Sequence, residues 1–180
     1  MRSNRSLVLI AVLMIWGTAS ATVLITVEEG LELAFPGAVV KRETLFLDED
    51  QRTAVLDLSG AATTSALATR FVATDGSDGV IGYAYLDTHV VRTLPETVMV
   101  VLEAGGAVRR VEVVTFREPL EYMPREGWYG QYVGRELDDD LALKRGIRPV
   151  TGATLTARAT TEAVRRVLAI HAVAGGEERP

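Results

Sequence analysis

The chain has no cysteine, and that one absence excludes disulfides, cysteine-ligated iron–sulfur clusters, thiolate zinc sites and thioether-attached c-type haem together. A redox role would therefore need an organic carrier. Histidine is nearly as scarce, with two in 180 residues. His89 and His171 could ligate a b-type haem only as a pair, and neither lies on an apolar stripe paired with the other. Basic excess is missing too: the formal net charge is −5, and setting aside Arg2 and Arg5 leaves about −7. No basic tract interleaved with aromatics offsets this balance, which argues against nucleic acid and against a basic patch for anionic lipid.

Charge is also absent from residues 6–27, a run dominated by Leu, Val, Ile, Ala, Met and Trp, with Arg2 and Arg5 before it and Glu28, Glu29 and Glu32 after. Roughly 20 such residues span the hydrocarbon of a bilayer. The arginines belong on the cytoplasmic side, so the remainder is expected outside. A cleaved signal peptide competes with a retained transmembrane helix, because Ala19-Ser20-Ala21 fits the small-residue cleavage pattern. Both readings export the rest of the chain. The length suits one domain. The expected division is 1–27 as anchor or signal segment, 28–175 as one extracytoplasmic domain, and 176–180 as a disordered tail.

Within that domain, Phe35-Pro36-Gly37 marks a turn. The spacing of Leu45, Leu47, Val55 and Leu58 predicts a helix over 44–58, stopped by Ser59-Gly60. Residues 61–69 have no clear period. Strands are expected at 69–74 and 80–86 around the turn 75–79, and at 97–102 and 107–116 around Gly105-Gly106. The last strand alternates Val108, Val111 and Val113 with Arg109, Arg110 and Glu112. A helix is expected over 156–174, with Ala159, Ala163, Val167 and Ile170 as its apolar stripe, flanked by Leu155, Val164 and Leu168. Arg158, Arg165 and Arg166 fall on what reads as a solvated face. These elements predict an α+β fold: an antiparallel sheet packed with helices on one side. The polar segment 87–96 reads as a loop carrying His89, and Asp138-Asp139-Asp140 as a solvated loop rather than a cation site.

The residues that carry chemistry stand ahead of the last helix. Arg148-Pro149 stiffens the chain, and Thr151-Gly152-Ala153-Thr154-Leu155-Thr156 comes next. Gly152 lets the backbone turn sharply, and Ala153 leaves the next position uncrowded. Thr154 would offer its hydroxyl at the helix start, where free N–H groups and the helix dipole suit a phosphate. The plain alternative is a loop ending in a threonine N-cap. Upstream, residues 118–135 hold Tyr122, Met123, Trp128, Tyr129 and Tyr132 between Gly127, Gly130 and Gly134, a composition able to wall a flat ring. Packing onto the sheet explains the same residues.

Residues 149–156 resemble the S/T-G-A-T attachment motif of the FMN-binding domain family, which includes the covalently flavinylated small subunits of the sodium-translocating quinone reductase and Rnf complexes. The likeness is strongest over 118–171, where Trp128, Gln131-Tyr132 and Gly134-Arg135 match a related family pattern. It implies a membrane-anchored, extracytoplasmic electron-transfer flavoprotein. FMN would be joined by a phosphoester to Thr154, with Thr151, Gly152, Ala153, Leu155, Thr156, Trp128 and Tyr132 around it. It also implies a flavin transferase for maturation and membrane or extracytoplasmic redox proteins as partners. Arg148 stands where family members usually place Asp, a departure that bears on recognition by the transferase. An exported binding or scaffold module, with the motif only a helix cap, is the alternative.

Overall fold

The computed structural model describes residues 22–63, 65–77 and 79–174. Six strands form one antiparallel sheet: β1 (Thr22–Val23), β2 (Val39–Phe46), β3 (Leu67–Thr74), β4 (Val80–Val90), β5 (Pro95–Glu103) and β6 (Val108–Phe116). Their order is β1-β6-β5-β4-β3-β2, a meander from β2 to β6 with the first strand laid against the last. The architecture is α+β, as expected. Residues 1–21, which hold most of the apolar run, lie outside the described residues, as do 175–180. Among the described residues no helix is long and apolar enough to cross a membrane.

The folded unit begins before the expected border at residue 28. Thr22 and Val23 pair with Phe116 and Thr115, and Thr26 caps helix α1 (Val27–Ala34) through a reciprocal box with Glu29. The end of the apolar run is thus part of the sheet edge and of a helix start. That helix also corrects the expectation of helices on one side, because α1 lies on the face opposite the others. There Ala34 and Phe35 pack with Phe71, Ala73, Ala84, Met99 and Val101. Gly30 permits the approach, since a Cβ on it would overlap the Met99 methyl group.

The helix expected over 44–58 is a strand followed by a helix. Residues 44–46 belong to β2, whose register runs from Val39 opposite Thr74 to Phe46 opposite Leu67. Asp48 then caps α2 (Glu49–Ser59) by a box with Gln51. On the same face α4 (Thr154–Ala174) covers Tyr85, Val98, Val100, Leu102, Val111 and Val113 with Ala163, Val164, Val167 and Leu168. Leu155, placed beside the apolar stripe by sequence, is 51% exposed. The segment from β6 to α4 contains the short helix α3 (Glu126–Tyr129) between two 3-10 turns, Leu120–Tyr122 and Gly130–Tyr132.

Two arginines expected on a solvated face are structural. Arg165 donates to the carbonyls of Ser59, Asp138 and Leu141 at 2.7, 2.6 and 3.2 Å, tying α4 to the end of α2 and to the loop before the motif. Arg166 is buried and grips Asp87 with two bonds of 2.8 and 2.7 Å. Asp138 closes the turn at 138–141 through the Leu141 N–H.

Candidate functional site

The motif forms the turn into α4. Gly152 has φ +85, a left-handed backbone that glycine adopts without a Cβ penalty, and the space where a Cβ would stand is open. The Val150 carbonyl accepts from the Ala153 N–H at 3.2 Å and from the Thr154 hydroxyl at 3.0 Å. The Ala153 carbonyl accepts the first helical bond, from Ala157. Ala153 is therefore the cap position, and Thr154 is the first helical residue. Thr154 is thus not itself the N-cap, because its hydroxyl turns back to Val150 instead of accepting from the first turn. Among the described residues, the N–H groups of Thr154, Leu155 and Thr156 have no acceptor in the protein. This is the pattern that favours an anion.

A cavity of about 210 Å³ opens beside this turn, lined by Val91, Arg92, Glu118, Tyr122 and residues 152–156. The walls are mostly apolar, and Thr154 and Leu155 are exposed at its rim. Thr156 is buried and donates to the Tyr122 carbonyl at 2.5 Å, which fixes one wall to the helix. The turn at 91–94 adds Val91 and Arg92 to the lining. Glu118 holds it by accepting from the N–H groups of Thr93 and Leu94 at 2.7 and 2.8 Å. Those same donors keep the Glu118 carboxyl below the usual carboxylate range.

The aromatic residues divide differently from the sequence expectation. Tyr122, read chiefly as packing, lines the cavity. Tyr132 is fully buried in the core, its hydroxyl bonded to Thr161 at 2.8 Å, so it packs and does not reach the cavity. Trp128 donates from Nε1 to the Arg148 carbonyl at 2.7 Å and meets the rings of Tyr129 and Tyr132 edge-on. Gln131 accepts from the Arg148 N–H at 2.9 Å. Trp128 and Gln131 therefore brace the chain leading into the motif. Thr151 is exposed at the turn, and Ala153 is buried beneath it.

His89 is not on a loop. Strand β4 continues through it, and it is buried between two carboxylates, Nδ1 to Asp87 at 3.0 Å and Nε2 to Glu96 at 2.9 Å. Burial alone would lower its pKa; the bonds to Asp87 and Glu96 outweigh that and raise it to about 9. Burial would raise the Asp87 pKa, but His89 and Arg166 together hold it below the usual carboxylate range. Thr160, one helical turn past Thr156, completes the cluster by donating to Glu96 at 3.1 Å. Both nitrogens of His89 are thus engaged. His171 meets the hydroxyl of Tyr85 through Nδ1 at 2.9 Å. Burial and the charge of Arg70 lower its pKa. Among the described residues no cluster of His, Asp and Glu is arranged to hold a metal.

Sequence reading missed Val91, Arg92 and Glu118. The polar 87–96 segment was the available signal, since the turn within it forms a wall of the cavity. Comparison with protein-family models, curated proteins and solved structures gave no match to this chain.

Proposed function

We propose that this protein is an exported electron-transfer flavoprotein carrying FMN esterified through its phosphate to Thr154. One observation carries the reading: an exposed threonine hydroxyl stands at the first helical position, beside a largely apolar cavity and three N–H groups that have no acceptor among the described residues. The donor set fits a phosphoester. Each free N–H can point at a phosphate oxygen, and the helix dipole adds favourable charge. Gly152 leaves the approach open, and Tyr122, Val91 and Leu155 offer apolar surface to part of a flat ring.

When bound, FMN would supply one- and two-electron chemistry that the side chains of this protein lack. The residues do the rest. Thr154 tethers, the first turn of α4 neutralises, Tyr122 and Val91 shield one side from water, and Glu118 keeps the turn at 91–94 in place. A covalent tether suits a protein outside the cytoplasm, where a dissociated cofactor is lost by dilution. The apolar run within residues 6–27 is the export element, as membrane anchor or signal segment. A flavin transferase is the maturation partner, and membrane or extracytoplasmic redox proteins are the donors and acceptors. A binding or scaffold module remains the competing class, and colour separates the two.

The test is co-expression of the full chain with a flavin transferase in an exporting host, and then ultraviolet illumination of a denaturing gel. Fluorescence that survives denaturation and disappears in Thr154→Val supports the proposal. A dark wild-type band, in cells that label an established acceptor, removes it.

A further inference from the structure

Strand β6 is open along part of one edge. At one end the Leu24 N–H donates to the Val114 carbonyl at 3.0 Å. At the other, the Gly134 N–H donates to the Val108 carbonyl at 2.7 Å, and the Val108 N–H donates to the Arg135 carbonyl at 2.8 Å. Between these ties residues 110–113 pair with β5 alone among the described residues, and the register breaks at Arg109. A cavity of about 910 Å³ lies beside this stretch. Its lining comes from both faces of the sheet: Ile25 and Leu33 from the side of α1, and Met123, Tyr129 and Val133 from the side of α3. The space is therefore in the plane of the sheet, where the next strand would stand. Leu33 and Val133 leave apolar surface exposed at its two lips.

We propose that this groove receives an extended segment of a partner protein, added to β6 as a short strand with apolar side chains toward α3 and an acidic one toward α1. The open edge supplies the backbone bonds that such an addition uses, and alternate side chains of the guest fall to opposite faces. On the α3 side Val111 and Val113 share one core with Tyr129 and Met123, so this face takes apolar residues, and Glu126 at its rim repels an acid. On the α1 side Arg110 is neutralised by Glu112 at 2.5 Å. Arg109 lies exposed over the Phe35 ring at 5.6 Å, with no carboxylate partner among the described residues. An acidic side chain of the guest supplies that missing charge. The gap limits the guest to about five residues, about 17 Å of strand. The edge strands of a second copy, β2 and β6, have eight and nine residues, and a strand of that length overruns into Leu24 or into Gly134 and Arg135. The groove therefore suits a short segment that turns away at both ends. This inference does not rest on the flavin reading.

A library of random heptapeptides displayed on phage and panned against the purified full chain supplies the probe, and a selected peptide is then synthesised. Selected sequences should alternate apolar with acidic residues. The bound peptide should protect from hydrogen exchange those amides within 110–113 that face away from β5. Methylating alternate nitrogens of the peptide should weaken binding roughly tenfold or more, because the ladder bonds are lost. Arg109→Glu, at an exposed site, should turn the selection from acidic to basic sequences while leaving the folded spectrum unchanged. No enrichment over an unrelated protein, protection only at other amides, binding indifferent to methylation, or a selection unaltered in Arg109→Glu overturns the proposal. So does protection of the same amides before any peptide is added: if independent of protein concentration, the chain covers its own edge, and if it grows with concentration, a second copy does.

Discussion

The middle of α4 and its first turn are built on opposite principles. In the middle, Arg166, Thr160 and Thr161 are buried and each has a named partner: Asp87, Glu96 and the Ala157 carbonyl. At the start, three N–H groups have no acceptor in the protein among the described residues, and the neighbouring hydroxyl is exposed. The same helix is thus a strut along its length and, among the described residues, leaves the donors of its first turn unused.

Breaking the saturated half has the largest expected effect. Arg166→Ala leaves the Asp87 carboxylate buried beside His89 with half its partners, and should cost about 3 to 5 kcal/mol in urea unfolding. A loss below about 1 kcal/mol would mean that water replaces the guanidinium, and that the middle of the helix is less closed than described.

The pH dependence comes next and has a definite sign. The folded pKa of His89 is about 9 against an ordinary 6.5. Its contribution is therefore complete below about 6.5 and is lost as pH rises through 9. Asp87 is shifted down, so its contribution is present above the ordinary carboxylate range and is lost as pH falls through its folded value. Urea midpoints should decline on raising the pH from 7 to 10, and His89→Gln should flatten that decline. An equally steep decline in the variant would assign it to other groups.

At the open end, effects on stability are small. Gly152→Ala forces a left-handed backbone on a residue with a Cβ and should cost about 1 to 2 kcal/mol, although nothing crowds the site. Thr154→Val removes one exposed hydroxyl and should shift stability by no more than about 0.5 kcal/mol while abolishing covalent flavin. A large destabilisation by Thr154→Val would make the residue a structural cap after all and dissolve the contrast between the two regions.

Part of this contrast was legible in the sequence. The turn at Gly105-Gly106 and the alternation of Val108, Val111 and Val113 mark the β5–β6 hairpin, and the motif before an amphipathic run marks the start of α4. These signals are local. The strand at 44–46 was hidden because Leu45 and Leu47 share a helical spacing with Val55 and Leu58, although the Asp48 and Gln51 capping pair marks the true helix start. His89 read as a loop residue because β4 carries Asp87 and His89 on a buried face, where periodicity leads one to expect apolar side chains. Their partners Glu96, Thr160 and Arg166 come from another strand and from α4, so only the fold reveals that they are paired. The sequence put Tyr132 and not Tyr122 among the candidate site residues, whereas the fold sets Tyr122 at the cavity and Tyr132 under Thr161.

Peptide mapping tests the central claim most directly. Trypsin should release residues 146–158 as one peptide, because Pro149 protects the bond after Arg148. After co-expression with a flavin transferase, this peptide should be yellow and heavier by FMN less one water, with fragmentation placing the addition on Thr154. An unmodified peptide from cells that label an established acceptor, or flavin found on any other residue, would contradict the account.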